Sequence, residues 1–255
     1  MAARLTEVGD GVSLYATSAP DARFLYREIF EWGSYRSARL PSDPLVVDAG
    51  ANVGVFTLFV KRMRPDAEIV AFEPVEDLAA ALRANVAHFG LSGVTVHTTG
   101  LGGEFRRAVP FRHYPLRPSG SSLFREDQDA LKKLSARWMP SRLNERMYRG
   151  REITVDIAPL SSFLPPDRAV DLLKVDVVGA ELDVFAGIDD DQWPRIRQVV
   201  VDVQDVAGRA TRVREILEAH GMSTGVGRND AAAEDGVNVL VHGQRPDIGQ
   251  VPLLA

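Results

Sequence analysis

The sequence predicts an α/β fold: a doubly wound, mostly parallel sheet with helices on both faces. Three observations predict it. Short apolar runs recur at Leu45 to Asp48, Glu68 to Phe72, Asp171 to Val175 and Gln198 to Val203, each bounded by turn residues. Such continuous runs suit strands covered on both sides. Helical periodicity follows each run, and strands that alternate with helices form parallel sheets through crossovers.

The elements follow in order. Residues 1 to 20 carry no strong period, and Pro20-Asp21 opens a helical stretch in which Phe24, Leu25, Ile29 and Trp32 recur at helical spacing before Gly33 ends it. Residues 1–40 therefore read as an N-terminal helical cap. The first strand, Leu45 to Asp48, leads through a Gly-rich turn to a helix over Val53 to Arg64. Glu68 to Phe72 is the next strand, and the Ala-rich helix from Val75 to Phe89 is closed by Gly90. Val94 to His97 makes a third strand.

Residues 102–166 then form an insertion, or lid, between the third and fourth core strands, longer than a βα connection needs. Within it, Phe105 to Phe111 and Glu152 to Ile157 read as strands, and Phe124 to Met139 as one amphipathic helix carrying Phe124, Leu131, Leu134 and Trp138. Asp171 to Val175 and Gln198 to Val203 are followed by helices at Ala180 to Ala186 and Arg209 to His220. Val237 to Val241 supplies a last strand, expected to be antiparallel. The whole, 1–255, reads as one domain.

Composition narrows the function. Among 255 residues, 45% are hydrophobic and 25% charged, and the net charge is -5. That balance gives no general attraction to phosphate backbones, so nucleic acid is not an expected partner. The absence of cysteine removes disulfides, thiolate metal sites and a Cys nucleophile. No apolar run reaches the length of a signal peptide or a membrane span, so no membrane partner and a cytoplasmic location are the expectation. Basic residues are nearly all Arg, with Lys only at 61, 132, 133 and 174, a bias that fits a GC-rich bacterial genome.

The informative turn is Val46-Val47-Asp48-Ala49-Gly50-Ala51-Asn52-Val53-Gly54. Gly50 permits a sharp bend and close approach of a ligand, Gly54 permits close helix packing, and Asn52 tolerates left-handed backbone angles. Asp48 is placed to hold the loop or a ligand's ammonium. The second strand ends in Ala71-Phe72-Glu73-Pro74, which sets a carboxylate where the ribose of an adenosyl group would lie. The turn lacks the G-x-G-x-x-G spacing that cradles a pyrophosphate, so S-adenosylmethionine (SAM) suits it better than a nicotinamide dinucleotide.

A third motif, Asp171-Leu-Leu-Lys-Val-Asp176-Val-Val-Gly179-Ala-Glu181, makes the likeness specific. These three motifs, in this order and spacing, resemble the FkbM-type family of SAM-dependent O-methyltransferases. Glu28 to Tyr35 and Ser119 to Leu123 are similar to that family's leading helix and its Ser/Gly loop. The resemblance implies the class I methyltransferase sheet, Rossmann-like, with an antiparallel last strand. It implies SAM as cofactor, with Gly50, Asn52 and Gly54 at the methionine moiety, Glu73 at the ribose, Gly100 and Leu101 at the adenine, and Asp176 at the methyl-donor end. Together with the motif neighbours Asp48, Ala51 and Pro74, these are the expected cofactor-binding residues.

Two departures stand out. Val178 occupies a slot where the family usually has Glu, and Gln204 one where it often has His. Methyl transfer to oxygen needs a base only if that oxygen holds its proton tightly. The catalytic candidates are Asp176, Glu181, Asp202 and His113, with Glu181 also readable as a first-turn acid matched to the helix dipole and His113 as a surface residue. No metal-ligand spacing occurs among the histidines. The acceptor is expected to be a small molecule, either a carboxyl or phenol that ionises easily or a hydroxyl served by Asp176. The Arg-rich insertion, with Trp138, Met139, Met147 and Tyr148, is expected to cover the pocket and to offer Arg142 and Arg146 to an acidic carrier protein. A homodimer is compatible with the sequence without being demanded by it. The competing readings are a catalytically silent SAM-binding module and a nicotinamide-dependent reductase.

Overall fold

The computed structural model describes residues 2–36, 38–137, 139–228 and 238–250. The chain opens with β1 (Arg4–Gly9), β2 (Val12–Ala16) and α1 (Ala19–Tyr26), which continues as a π-helical turn over Arg27–Glu31. The first half of the core is β3 (Leu45–Ala49), α2 (Val55–Met63), β4 (Glu68–Phe72), α3 (Glu76–His88) and β5 (Val94–His97). The insertion contributes β6 (Gly100–Leu101), β7 (Arg106–His113), α4 (Arg125–Ser135), α5 (Ser141–Met147) and β8 (Arg151–Ala158). The second half is β9 (Leu172–Val175), α6 (Glu181–Ala186), β10 (Gln198–Gln204), α7 (Arg209–Ala219), β11 (Ser223–Arg228) and β12 (Asn238–Gln244).

The central sheet has seven strands in the order β11-β12-β10-β9-β3-β4-β5. β3, β4, β5, β9 and β10 run parallel, and β12 lies antiparallel to both β10 and β11. This is the doubly wound class I methyltransferase sheet, with an antiparallel last strand, that the resemblance implied. Side chains alternate between two cores. Val46, Ile69, Leu172 and Val200 join α2, α3 and the N-terminal elements on one face, while Val47, Leu173, Val175 and Val201 join α6 and α7 on the other. The chain order reverses between β3 and β9, so the crevice at their carboxyl ends is where ligands gather in such sheets.

The structure corrects the expectation of a helical cap over 1–40. β1 and β2 form an antiparallel hairpin closed by Asp10 and Gly11, with φ of 49° and 69°. Two positive φ values are what a tight hairpin turn of primed type demands, and Asp-Gly supplies them. Val12, Leu14 and Ala16 point inward with the period of a strand. Asn85 of α3 fastens this hairpin: its Nδ2 donates to Tyr15 O (2.9 Å) and Val53 O (2.8 Å), and its Oδ1 accepts from Tyr15 N (2.6 Å).

The single helix expected over Phe124 to Met139 is instead two. α4 ends at Ser135, and Asn144 of α5 reaches back to its last turn, donating to Lys132 O at 2.9 Å and accepting from Ser135 Oγ at 3.1 Å. Pro140 then disfavours helix for the residue before it and starts α5. β11 was not anticipated; Ser-Thr-Gly-Val-Gly has neither the apolar run nor the branched residues of a core strand, and it survives at the edge by pairing with β12. Trp138 and Val237 lie outside the described residues. Among the described residues no helix is long and apolar enough to cross a membrane.

Candidate active site

The carboxyl ends of β3, β4 and β9 open into a cleft of about 860 Å³, counted out to its mouth. Its floor is the bend after β3. Gly50 adopts a φ of 80°, and an added Cβ would sit 1.9 Å from Asp176 O, so only glycine fits between these two strand ends. Asn52 takes a φ of 51°, as its tolerance of left-handed angles predicts. Gly54 (φ 87°) permits close helix packing as expected, because its missing Cβ makes room for Leu82 Cδ1 of α3, which would lie 2.2 Å from it.

Every amide of this bend is engaged. Gly50 N and Ala51 N donate to Phe72 O (3.0 and 2.9 Å), Asn52 N to Glu73 Oε2 (2.9 Å), Val53 N to Asn52 Oδ1 (2.8 Å) and Gly54 N to Ala51 O (2.8 Å). A phosphate would find no free N–H here, which disfavours a dinucleotide. A sulfonium nucleoside carries no phosphate and asks for a carboxylate near its sugar and an electronegative wall near its cation, and this cleft has both. Glu73 accepts additionally from Val75 N at 2.8 Å; burial raises its pKa to about 7, against the lowering pull of the Val75 and Asn52 amides.

Asp176 stands at the end of β9 with 29% of its side chain open to the cleft. Burial raises its pKa, Lys174 opposes the rise, and Asp48 adds to it. Lys174 is the organising cation. It lies in register with Asp48 across β3 and β9, donates to Asp48 Oδ1 (3.0 Å) and Gly50 O (2.8 Å), and sits 3.7 Å from Asp176 Oδ2. Burial opposes its charge, but the two carboxylates outweigh that and raise its pKa. The role of Lys174 was missed in the sequence. The signal was present, since residues two apart in a strand share a face and Lys174 precedes Asp176 by two.

The expected cofactor-binding residues divide. Gly50, Ala51, Asn52, Glu73, Pro74, Gly100, Leu101 and Asp176 all line the cleft. Asp48 and Gly54 do not: Asp48 is wholly buried, accepting from Thr57 Oγ1 at 2.9 Å and from Lys174, so it holds the loop rather than a ligand.

Of the catalytic candidates only Asp176 lines the cleft. Glu181 is fully buried at the start of α6, where its Oε1 accepts from Gly179 N at 2.8 Å and its Oε2 lies 3.6 Å from Arg209 Nε; burial raises its pKa to about 7. Asp202 is buried on β10. His113 is not a surface residue. It is buried at the end of β7, its Nδ1 is 3.1 Å from Ser121 Oγ, and burial lowers its pKa to about 4.

The roof also differs from expectation. Met139, Met147 and Tyr148 are not among the lining residues; Tyr148 instead lies under the Arg117 guanidinium, 4.4 Å from the ring centre. The cover is built from Leu25 of α1, Ile29 of the π-helical turn, and Phe111, Pro118, Ser119, Ser121 and Leu123 of the insertion. These two parts are clasped together. Asp21 accepts from Ser119 N (3.1 Å) and Ser119 Oγ (2.6 Å), and Ser18 Oγ donates to Leu116 O (2.9 Å). Burial raises the pKa of Asp21 to about 6. Opposite the roof, Val178 holds a φ of 50°, a strained conformation for a β-branched residue that costs roughly 1–3 kcal/mol.

Comparison with known proteins gives a consistent result. A family model described as the methyltransferase FkbM domain matches residues 48–223. Methyltransferase 1 of the fungus Beauveria bassiana is 37% identical over 234 residues, covering 90% of this chain and 93% of its own. The 31-O-demethyl-FK506 methyltransferase FkbM of Streptomyces tacrolimicus is 33% identical over 228 residues, covering 84% and 86%. Among solved structures, the O-methyltransferase TomG of Streptomyces achromogenes, in complex with SAM, aligns with a TM-score of 0.45 at 16% identity, covering 89% of this chain and 81% of that one. Relatives thus come from both fungi and bacteria, and the arginine bias does not assign this chain to bacteria.

Proposed function

Because the chain belongs to the FkbM-domain family of SAM-dependent methyltransferases, we propose that it methylates an oxygen of a small secondary metabolite. SAM supplies an electrophilic methyl group when bound. The observation that carries the reading is the pairing of Asp176 with Lys174 at the mouth of the β3 bend. Glu73 would accept from ribose hydroxyls through the lone pairs its two amide bonds leave free, and Pro74, Gly100 and Leu101, which line the same cleft, would hold the adenine. Asp176 faces the reacting end, where a pKa raised by burial makes it a better proton acceptor than an ordinary carboxylate. Lys174 keeps that side chain in place. Glu181 buttresses the Val178-Gly179 corner, and His113 orients Ser121 in the wall.

The roof contributes an apolar half to the cleft, through Leu25, Ile29, Phe111 and Leu123. Closing it over the reactants excludes water and fixes the approach of the acceptor oxygen, which is where much of the acceleration of such a displacement arises. The likeness to the Streptomyces tacrolimicus enzyme supports oxygen as the acceptor atom. Exposed Arg142 and Arg146 on α5 support docking of an acidic carrier when the acceptor is tethered; reversing both charges should then slow a tethered acceptor and spare a free one.

The test is incubation with methyl-labelled SAM and a panel of hydroxyl, phenol, carboxyl and amine acceptors. Label on oxygen, located by mass spectrometry, is the expected result. Label on nitrogen or carbon alone, or binding of SAM without any transfer, overturns the reading.

A further inference from the structure

The structure assigns Ser122 as a positioning residue that locks the corner carrying Asp176 to the insertion. The assignment rests on the reading of Asp176 as the group at the reacting end. Ser122 is completely buried, and its hydroxyl is used twice: Oγ donates to Val178 O at 2.6 Å and accepts from Phe124 N at 2.9 Å. Its own backbone pairs with Arg112 of β7 in both directions, N to O at 3.0 Å and O from N at 2.9 Å. One serine therefore joins the β7 strand, the start of α4 and the loop after β9.

What it grips is unusual. Val178 stands in the left-handed region at φ 50° and Gly179 follows at φ 101°. A β-branched residue keeps such angles only where its surroundings impose them. On the far side the corner is imposed by Glu181, which accepts from Gly179 N. On the near side the bond from Ser122 is the fixed point. Between Asp176 and Val178 there is one residue, Val177, and Asp176, Val177 and Val178 all line the cleft, so relaxation of the Val178 backbone swings the carboxylate.

The consequence is that the cleft wall and the insertion adopt their working positions together. An insertion that lifts takes Ser122 from Val178 O, and the corner is then free to leave its left-handed geometry.

A pair of substitutions tests this. In the unaltered background, S122A should lower kcat at least tenfold while changing the dissociation constant for SAM, measured by calorimetry, by less than threefold. Glycine accepts a positive φ without strain, so V178G should make the serine dispensable: added to V178G, S122A should lower kcat by less than threefold. Equal factors in the two backgrounds overturn the proposal. Hydrogen–deuterium exchange gives a readout independent of turnover. Residues 177–181 should exchange at least tenfold faster in S122A than in the unaltered chain, and no change there overturns the proposal. If the unaltered chain transfers no methyl group to oxygen, the functional reading fails, while the exchange measurement still decides whether Ser122 holds the corner.

Discussion

Along the bend after β3, all five amides from Gly50 to Gly54 are satisfied within the β3-α2-β4 unit itself. The two parts of the roof over the same cleft are clasped to each other by side chains 98 residues apart in sequence from their partners, Asp21 to Ser119 and Ser18 to Leu116. Local bonds form with their own unit and persist while it stays folded, whereas two parts clasped by a few side chains distant in sequence can separate without global unfolding. The cleft thus has one wall built to stay and one built to yield, and Asp176 stands where they meet.

Four measurements can break or sharpen that contrast. Asp176→Asn strikes the point where the two walls meet and should lower kcat about 10²–10⁴-fold, a far larger factor than any loss of calorimetric affinity for SAM. The wild-type rate should fall on the acid side as pH drops through the raised pKa of Asp176, which lies above the ordinary value of 3.8; unchanged turnover in the variant removes Asp176 from the chemistry. Lys174→Met strikes the fixed wall, since it strands Asp48 as a buried charge, and should cost about 3–5 kcal/mol in urea unfolding. Adding Asp48→Asn should recover part of that loss, and a fully additive double variant would show that the pair is not coupled.

The third concerns Glu73. Its folded pKa of about 7 exceeds the 4.5 of an ordinary glutamate, so the folded state binds the proton more tightly. Its contribution is fully present below pH 4.5 and is lost as pH rises through 7, a swing of about 3 kcal/mol. Glu73→Gln should remove this part of the pH dependence of thermal stability; an unaltered profile would mean the carboxyl is not buried as described. The smallest effect is expected at the roof. Asp21→Ala should speed exchange in residues 114–123 by an amount equivalent to about 2 kcal/mol and leave the global unfolding midpoint nearly unmoved. A matching fall in global stability would mean the roof unfolds only with the whole.

The fixed wall was also the legible one. Gly50, Asn52, Glu73 and Asp176 sit in short motifs whose spacing follows from strand and turn geometry, and the structure places all four in the cleft. Asp48 was read as a possible ligand contact because sequence shows the acid but not the partner across the sheet that claims it. The roof resisted reading for the same physical reason that it can yield. Nothing near Asp21 in the chain announces Ser119, and the period of the α4 and α5 segments does not reveal that Asn144 folds one back on the other. His113 was misplaced because a strand end buried under its own hairpin loop looks, in sequence, like any polar turn. The N-terminal hairpin was readable from Asp10-Gly11 and the alternation that follows, and the helical pattern after it drew attention away.

Asn85 shows how far that hairpin reaches. Its side-chain amide spends its donors and acceptor on Tyr15 and Val53, so residues that look like a decorative leader are one end of a tie rod whose other end is the bend after β3. Trimming the first sixteen residues to obtain a smaller catalyst would leave that carboxamide with Val53 O alone to hold, and the damage would surface at the bend after β3 rather than at the cut.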